Sequence, residues 1–374
     1  MKKIVVLGST GSIGCQTLDI IRAFPDHFEV IGLAAGNNQD LLKQQVQEFH
    51  PKHIWSINPL QDIPSKTTVT TMDDMVSLDE VDLVMVATMG AVGLGPTLAA
   101  LKHQKAVALS NKEPIVMAGH IIKQYERKYG GAILPVDSEP SAIWQCLRGE
   151  NNSIQRLILT ASGGPFRDTP PDQLASVTPA EALNHPTWRM GKKISIDSAT
   201  MMNKAFEVIE SHWLFDVAWE SIEVVIHPQS TVHSMVEFAD GSVKAQLGPP
   251  TMHLPIQYAL FYPDRVANQA IPRLPTNQPY SLDFRPLDEG RYPCFNLAVN
   301  AGKQGGTYPA VLSAADEVAV NAFLAGKIGF TDIYRVVESV LGLHQSASGE
   351  SVDELMAADA WATQQTTTVI GENF

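Results

Sequence analysis

The sequence predicts an α/β protein with an N-terminal parallel-sheet domain, a central α+β domain and a C-terminal helical bundle. Three observations support this fold class. Strand-length apolar runs alternate with helical patterns in the first third of the chain, hairpin-like strands follow, and helical patterns fill the end. Alternating strands and helices form a mainly parallel sheet that is covered on both faces. We place the domains at 1–136, 137–261 and 294–374, with a linker at 262–293.

The N-terminal region carries the clearest alternation. Its predicted strands are Lys3–Leu7, Phe28–Leu33, Val81–Ala87, Ala106–Leu109 and Ala132–Val136, and its predicted helices are Ile13–Phe24, Asn38–Phe49, 92–103 and 114–129. The first apolar run is short and meets glycines at once. It is therefore better explained as a buried strand than as a signal peptide.

The middle and the end of the chain have a different pattern. Strands are predicted at Gln155–Thr160, Ser221–Ile226, Thr231–Phe238 and Ser242–Leu247. The Asp240-Gly241 pair between the last two is typical of a hairpin. A helix is predicted at 201–214, the prolines of 262–293 indicate the linker, and three more helices are predicted at 309–325, 331–342 and 351–364.

Composition excludes several classes of function. A net charge of -13 argues against nucleic-acid binding, which needs a basic face. The sequence contains no long apolar stretch of the kind that crosses a membrane. Cys15, Cys146 and Cys294 are far apart and form no C-x-x-C pair, so neither a disulfide framework nor a zinc site is expected. These features favour the cytoplasm or a similarly reducing compartment.

A glycine-rich loop follows the first predicted strand. Gly8, Gly11 and Gly14 separate that strand from the first helix, in the spacing G-x-x-G-x-x-G. Glycines let the backbone approach a pyrophosphate, and a helix N-terminus offers free N–H groups. The N-terminal domain is therefore predicted to be Rossmann-like and to bind a dinucleotide; an ordinary tight turn is the alternative.

The end of the second strand bears on which dinucleotide is bound. It reads Leu33-Ala-Ala-Gly36-Asn37-Asn38, without the acid that usually holds the ribose 2′-hydroxyl of NAD. A 2′-phosphate would meet no repulsion there, which favours NADPH. No Arg or Lys stands beside it, however, and Lys43 is the nearest cation in the sequence.

Two acids follow the strand at 132–136. If the chain stays extended there, as Pro140 favours, Asp137 and Glu139 point the same way. Their repulsion would be relieved by a hard cation such as Mg²⁺ or Mn²⁺. A solvated strand end, or Asp137 as a helix cap, explains the pattern equally well.

A third acid lies in the segment Ile194–Glu207. Asn203 and Glu207 are four residues apart and share a helix face, and Ser198 is expected just before that helix. Ser198, Asn203 and Lys204 could together bind a phosphate. The alternative is a capped amphipathic helix with Lys204 exposed.

Two loops complete the set of candidate residues. Ser162 begins a glycine-rich turn after a strand and could present its hydroxyl to an anion. The segment from His185 through Trp188 to Gly191 could be a mobile lid with an aromatic cover. Both are also explained as ordinary loops.

Together these motifs resemble one family. In order they are GSTGSIG at 8–14, NKEP at 111–114, VDSE at 136–139, SGGPF at 162–166, HPTWRMGKK at 185–193, DSATMMNK at 197–204 and IHPQSTVHSM at 226–235. They closely resemble 1-deoxy-D-xylulose 5-phosphate reductoisomerases over nearly the whole chain. That family converts its substrate to 2-C-methyl-D-erythritol 4-phosphate in isoprenoid precursor synthesis.

The resemblance implies roles for named residues. Asp137, Glu139 and Glu207 would bind Mg²⁺, Mn²⁺ or Co²⁺. Residues contacting NADPH would be Thr10, Gly11, Ser12, Ile13, Gly36, Asn37, Asn38, Asn111, Glu113 and Gly191. The substrate would be bound near the metal by Lys112 and Ser138, with Glu139 and Glu207, and at its phosphate end by Ser162, His185, Ser198, Asn203 and Lys204. Trp188 would close as part of a flap, and the family forms homodimers.

The resemblance has departures and rivals. A Lys or Arg is often found in the family where Asn37 stands, and NKEP replaces the commoner NKES or NKET. An ordinary NADP-dependent dehydrogenase would share the glycine loop but would not need three acids. A non-catalytic NADPH sensor would bind the cofactor without turnover.

Overall fold

The computed structural model describes residues 1–61, 64–151, 154–275, 277 and 279–374. They form two compact units. The first comprises Met1–Pro114, Ile122–Ser141 and Thr251–Arg273, and the second comprises Ile115–Ile121, Ala142–Pro250 and Leu274–Phe374. The division into cofactor, catalytic, linker and helical segments stays a prediction, and Thr276 and Gln278 of the linker lie outside the described residues.

The strands and helices of the described residues are numbered in chain order. The strands are β1 Lys2–Leu7, β2 Phe28–Ala35, β3 His53–Ser56, β4 Thr68–Val69, β5 Leu83–Val86, β6 Ala106–Leu109, β7 Ala132–Pro135, β8 Ile154–Ala161, β9 Ile222–Ile226, β10 Val232–Phe238, β11 Val243–Leu247 and β12 Arg285–Pro286. The α-helices are α1 Ser12–Ala23, α2 Gln39–Phe49, α3 Met72–Val76, α4 Leu94–Lys102, α5 Glu113–Tyr129, α6 Ser138–Leu147, α7 Pro179–Leu183, α8 Lys192–Thr200, α9 Met202–Phe215, α10 His253–Phe261, α11 Pro293–Gln304, α12 Tyr308–Leu324, α13 Asp332–Leu343 and α14 Val352–Asn373.

The first unit is built on a parallel sheet with the order β4-β3-β2-β1-β5-β6-β7. Its central strands are buried, which explains why β1 and β5 read as continuous apolar runs. The chain leaves β1 to form β2 on one side and later returns to form β5 on the other. The carboxyl end of β1 is therefore the switch point where such sheets bind ligands.

The second unit contains a mixed sheet with the order β11-β10-β8-β9-β12. Strands β10 and β11 form the predicted antiparallel hairpin, and the turn is made by Gly241 with φ +85°. Strand β8 pairs in parallel with β9, and β12 runs antiparallel to β9. The helices at the end of the chain supply the second apolar core of this unit. The predicted fold class is confirmed.

Among the described residues, six helices were not predicted from the sequence: α3, α6, α7, α8, α10 and α11. Two of these, α10 and α11, show no amphipathic pattern beside a clear start signal. Nearly every residue of α10 is buried, so polar and apolar positions do not alternate along it. Helix α11 begins at Pro293, which is one of the prolines in 262–293 that indicated a linker. Proline suits a first helical turn because its missing N–H has no intrahelical partner there.

The prediction that Glu139 lies in an extended segment was wrong. Strand β7 ends at Pro135, and Ser138 starts α6, so Glu139 is in the first turn of a helix. Pro140 also stands in that turn, where the N–H groups need no partner and a proline is tolerated. A residue before a proline usually favours extended backbone. Glu139 is helical nevertheless, because the chain begins a helix at Ser138.

Ser198 precedes the helix that carries Asn203, as predicted, but it lies within a further helix, α8, that was not predicted. Met201, with φ +62°, ends α8 and begins α9, which corresponds to the helix predicted at 201–214. A local pattern does not reveal such a left-handed break at a residue other than glycine.

The remaining predictions concern thiols and membrane segments. All three cysteines are free, as expected. Among the described residues, no helix combines the length and the apolar character that crossing a membrane requires.

Candidate active site

The glycine loop of the first unit makes a tight turn at the carboxyl end of β1. Gly8 has φ +82°, and a Cβ placed there would lie 2.2 Å from the Ala87 carbonyl oxygen. A Cβ on Gly14 would lie 2.2 Å from the Gly8 carbonyl oxygen. The N–H groups of Gly8 and Ser9 both donate to the Ala34 carbonyl at the end of β2. Only glycine fits at positions 8 and 14, so no side chain covers the backbone of the loop at these two positions.

The residues after this turn are accessible. Gly11 and Ser12 are exposed, and Thr10 and Ile13 are half-buried. Helix α1 begins at Ser12, with Gly11 extended before it and no side chain capping its N-terminus. Uncapped N–H groups at a helix start bind anions readily. This is the geometry that the sequence predicts for a dinucleotide loop.

The end of β2 holds the residues predicted to contact the adenosine half of a cofactor. Asn38 caps α2 by accepting a hydrogen bond from the Leu41 N–H at 3.2 Å. Asn37 is exposed and Gly36 is half-buried. The amide oxygen of Asn38 is therefore engaged by the helix, and the side chains of both Asn37 and Asn38 are exposed.

Asn111 and Glu113 follow β6 and form a small network. Asn111 is 3% exposed, accepts a hydrogen bond from the Thr88 hydroxyl at 2.9 Å and donates to Glu113. A Cβ on Gly93 would lie 2.3 Å from the Asn111 amide oxygen, so any other residue there would displace the Asn111 side chain. This network fixes the loop after β6, which also carries Lys112.

Lys112 and Asp137 form an ion pair where two neighbouring strands end. Lys112 follows β6, Asp137 follows β7, and the Lys112 Nζ lies 2.7 Å from a carboxylate oxygen of Asp137. Both side chains are largely buried, at 8% and 11% exposure. Burying a charged pair costs desolvation energy, so stability explains this pair poorly. A role in binding explains it better.

Glu139 lies beside this pair. The Ser138 hydroxyl donates to Glu139 at 2.5 Å, and the Ser138 N–H donates to Asp137 at 3.1 Å. Ligand oxygens of Asp137 and Glu139 lie within 4.8 Å of one another. The two acids are therefore close together, as predicted, but a helical turn places them there instead of the predicted extended segment.

Glu207 belongs to the second unit and is almost fully buried, at 1% exposure. Asn203 donates to one of its oxygens at 2.5 Å, and Lys204 forms an ion pair with the other. The predicted helix face shared by Asn203 and Glu207 is confirmed. Lys204 is only 4% exposed, so the alternative of a solvated lysine was wrong.

Ser162 and His185 meet in the second unit. The His185 Nδ1 accepts hydrogen bonds from the N–H groups of Thr187 and Trp188, at 3.1 and 2.9 Å. That nitrogen therefore carries no proton, and in the neutral ring the proton sits on Nε2. The Nε2 lies 2.9 Å from the Ser162 hydroxyl oxygen and donates to it.

This arrangement determines where the Ser162 hydroxyl can donate. Its oxygen accepts from His185 and, at 3.2 Å, from the Gly164 N–H. Its own hydrogen is left for another acceptor, such as a phosphate oxygen. Burial lowers the pKa of His185 to about 4, and the nearby Arg167 guanidinium acts in the same direction. His185 is therefore neutral at physiological pH.

Ser198 and the predicted flap adjoin the Ser162 loop. A Cβ on Gly164 would lie 2.6 Å from the Ser198 carbonyl oxygen, so the two backbones are in close contact. Trp188 is half-buried with its ring centroid 6.0 Å from that of His233, and Gly191 is exposed immediately before α8. The structure thus brings Ser162, His185 and Ser198 together.

Three family models match the chain along its length. They are described as 1-deoxy-D-xylulose 5-phosphate reductoisomerase, matching residues 4–119, its C-terminal domain, matching 133–215, and DXP reductoisomerase C-terminal domain, matching 247–365. A 1-deoxy-D-xylulose 5-phosphate reductoisomerase of Pelotomaculum thermopropionicum is 48% identical over the full length of both chains. One of Bacillus subtilis is also 48% identical, with 96% of this chain and 97% of the relative covered.

The chain belongs to the 1-deoxy-D-xylulose 5-phosphate reductoisomerase family. Solved structures agree with this assignment. The reductoisomerase of Zymomonas mobilis in complex with NADPH has a TM-score of 0.92 at 40% identity, with both chains fully covered. A DOX-P reductoisomerase in complex with NADPH, fosmidomycin and magnesium has a TM-score of 0.94 at 39% identity, covering 99% of this chain and 98% of that one.

The side chains that hold the Ser162 loop were not predicted from the sequence. The Tyr292 hydroxyl donates to the Gly163 carbonyl at 3.2 Å, and Arg291 donates to the Phe166 and Thr169 carbonyls. Arg167 donates to the Ser162 carbonyl at 3.3 Å. An Arg-Tyr pair before a proline carries no local signal of such a role, because its partners lie far away in the sequence.

Proposed function

We propose that this chain converts 1-deoxy-D-xylulose 5-phosphate to 2-C-methyl-D-erythritol 4-phosphate with NADPH and a divalent cation. The observation that carries the proposal is the buried Lys112–Asp137 pair with Glu139 beside it, at the edge of a dinucleotide-type sheet. Membership of the reductoisomerase family supports the substrate and the cofactor.

We propose that Asp137, Glu139 and Glu207 bind the cation. Carboxylate oxygens are the ligands that Mg²⁺ and Mn²⁺ prefer, and two of these acids are adjacent although like charges repel. Structures of related reductoisomerases with magnesium support this choice. When bound, the cation would stabilise negative charge on the substrate's oxygens, and NADPH would supply the hydride.

The chain's own side chains position the substrate. Lys112 can donate to a substrate oxygen from its place beside Asp137, and Ser138 orients Glu139 through its hydroxyl. Because both groups are held before substrate arrives, little reorganisation is needed during the reaction. The carbon skeleton is cut and rejoined to give a branched aldehyde, which then receives the hydride and a proton.

We propose that the phosphate end of the substrate binds Ser162, Ser198, Asn203 and Lys204. The free hydroxyl hydrogen of Ser162 is directed by His185, and the ammonium group of Lys204 supplies positive charge. The phosphate does not react, but its binding energy holds the reactive end in register. Trp188, on the segment that ends at Gly191, would cover the bound substrate.

The cofactor contacts and the oligomer are proposed from the family resemblance, and the location from the cysteines. Thr10, Gly11, Ser12, Ile13, Gly36, Asn37, Asn38, Asn111, Glu113 and Gly191 would contact NADPH, as the family resemblance implies. We propose a homodimer on the same resemblance. The three free cysteines fit a reducing compartment such as the cytoplasm.

One assay tests the function. NADPH oxidation is followed after adding 1-deoxy-D-xylulose 5-phosphate, with and without a chelator. We expect turnover that the chelator abolishes and added Mg²⁺ or Mn²⁺ restores, together with direct Mn²⁺ binding measured by calorimetry. Turnover that survives exhaustive chelation would favour an ordinary dehydrogenase, and NADPH binding without turnover would favour a sensor.

A further inference from the structure

A buried ion-pair cluster lies in the second unit and has no part in the metal or phosphate binding proposed above. The Nζ of Lys193 is 2.6 Å from an Asp197 oxygen and 2.7 Å from an Asp316 oxygen. Asp316 is fully buried, Asp197 is 4% exposed and Lys193 is 20% exposed. Lys193 and Asp197 belong to α8, whereas Asp316 belongs to α12.

Lys193 contacts a third element as well. Its Nζ lies 5.0 Å from the centre of the Phe206 ring on α9, close enough for a cation–π interaction. One lysine therefore links α8, α9 and α12. Removing charged groups from water is costly, and such clusters are often no more stabilising than apolar packing. Stability alone is therefore a weak explanation for this cluster.

The linked helices carry the proposed phosphate-binding residues. Helix α8 contains Ser198, and α9 contains Asn203 and Lys204. Lys193 is the second residue of α8, two positions after Gly191 at the end of the predicted flap. Since the Ser198 backbone touches the Ser162 loop at Gly164, a shift of α8 would displace both walls of the phosphate site.

We propose that Asp316, acting through Lys193, is a positioning residue that holds α8 and the end of the flap in register for the substrate's phosphate. Asp316 touches no substrate atom in this proposal. Its carboxylate fixes the lysine that anchors the start of α8, and α8 in turn fixes Ser198. The inference rests on the proposed function, because it assumes that the phosphate of the substrate binds at Ser198.

The test is the variant Asp316→Asn, which keeps the shape of the side chain and removes its charge. We expect KM for 1-deoxy-D-xylulose 5-phosphate to rise about tenfold while kcat changes little, as for a loss of uniform binding. The inhibition constant of inorganic phosphate, competing with substrate, should rise in parallel. NADPH affinity, measured by fluorescence, should stay unchanged.

A matched control separates positioning from stability. Asp332 on α13 also accepts a hydrogen bond and pairs with an arginine, Arg335, in the same unit. Asp332→Asn should lower the unfolding temperature without changing KM or the phosphate inhibition constant. Should Asp316→Asn fold poorly, Lys193→Arg carries the same test, because it keeps the charge but displaces the contact and should also raise KM.

Two outcomes would overturn the inference. One is a folded Asp316→Asn protein with the KM and phosphate inhibition of the parent chain. The other is a fall in kcat and NADPH binding together, in proportion to the unfolded fraction, which would indicate a purely structural role. Failure of the proposed function is a separate result, because the parent chain itself would then not oxidise NADPH with this substrate.

Discussion

The Nε2 of His185 lies 2.9 Å from the hydroxyl oxygen of Ser162, while two backbone N–H groups occupy the opposite ring nitrogen of the histidine. The histidine is therefore a fixed donor rather than a proton shuttle. In the proposed phosphate site, this arrangement leaves the serine hydrogen for a phosphate oxygen, and it requires the neutral ring.

The lowered pKa of His185 predicts a pH dependence of stability. The folded-state pKa is about 4, below the usual value of 6.5, so the unfolded chain binds the extra proton more readily. His185 therefore contributes stability that is complete above about pH 6.5 and is lost as the pH falls toward the folded pKa. Urea unfolding midpoints at the two ends of this window measure it.

The matched variant is His185→Gln. Glutamine does not titrate, so we expect its unfolding midpoint to fall less than that of the parent chain as the pH is lowered. Equal falls in the two proteins would show that other groups dominate the acid sensitivity and that His185 is not held neutral by the fold.

Replacing Glu207 should separate metal binding from cofactor binding. Glu207→Gln removes an anionic oxygen but keeps the shape of a buried side chain. We expect Mn²⁺ binding to weaken and turnover to disappear, with NADPH affinity nearly intact. Calorimetric titration with Mn²⁺ and NADPH fluorescence measure the two effects. Glu223→Gln, an exposed acid on β9 paired with Arg156, serves as the control. An active Glu207→Gln enzyme would remove Glu207 from the proposed metal site.

The exposed amide of Asn37 should influence the choice between NADPH and NADH. Asn37→Asp would repel the 2′-phosphate, and we expect the ratio of kcat/KM for NADPH to that for NADH to fall about tenfold. Asn37→Lys should raise the same ratio. Lys43→Gln tests the nearest cation in the sequence. A larger effect at Lys43 than at Asn37 would place the 2′-phosphate contact there instead.

Two glycines with similar positive φ angles distinguish backbone strain from steric crowding. Gly130 has φ +85° with no neighbouring atom within 4 Å of an added Cβ, whereas Gly8 has φ +82° and would collide with Ala87. Gly130→Ala should cost about 1–2 kcal/mol of unfolding free energy, from the left-handed conformation alone. Gly8→Ala should cost about 3 kcal/mol or more and should also abolish NADPH binding, because the loop must move. Similar unfolding free energies for the two variants would contradict this account.

Much of the fold could be predicted because its signals are local. Apolar runs such as Lys2–Leu7 are buried on both faces of a parallel sheet, and the helices between them repeat their apolar residues with helical spacing. The glycines at 8 and 14 and the Asp240-Gly241 hairpin are also local requirements of the backbone. Family motifs then indicated the candidate site residues, although local patterns alone left each of them open to a simpler explanation.

The way those residues are held became evident only in the folded chain. The sequence established the order of the elements and the positions of the acids, the glycine loop and the serines. It did not determine that Glu139 begins a helix, that Lys204 is buried against Glu207, or that Asp316 reaches Lys193. The physical reason is that periodicity records which face of an element is apolar, whereas burial and pairing depend on partners that are distant along the chain.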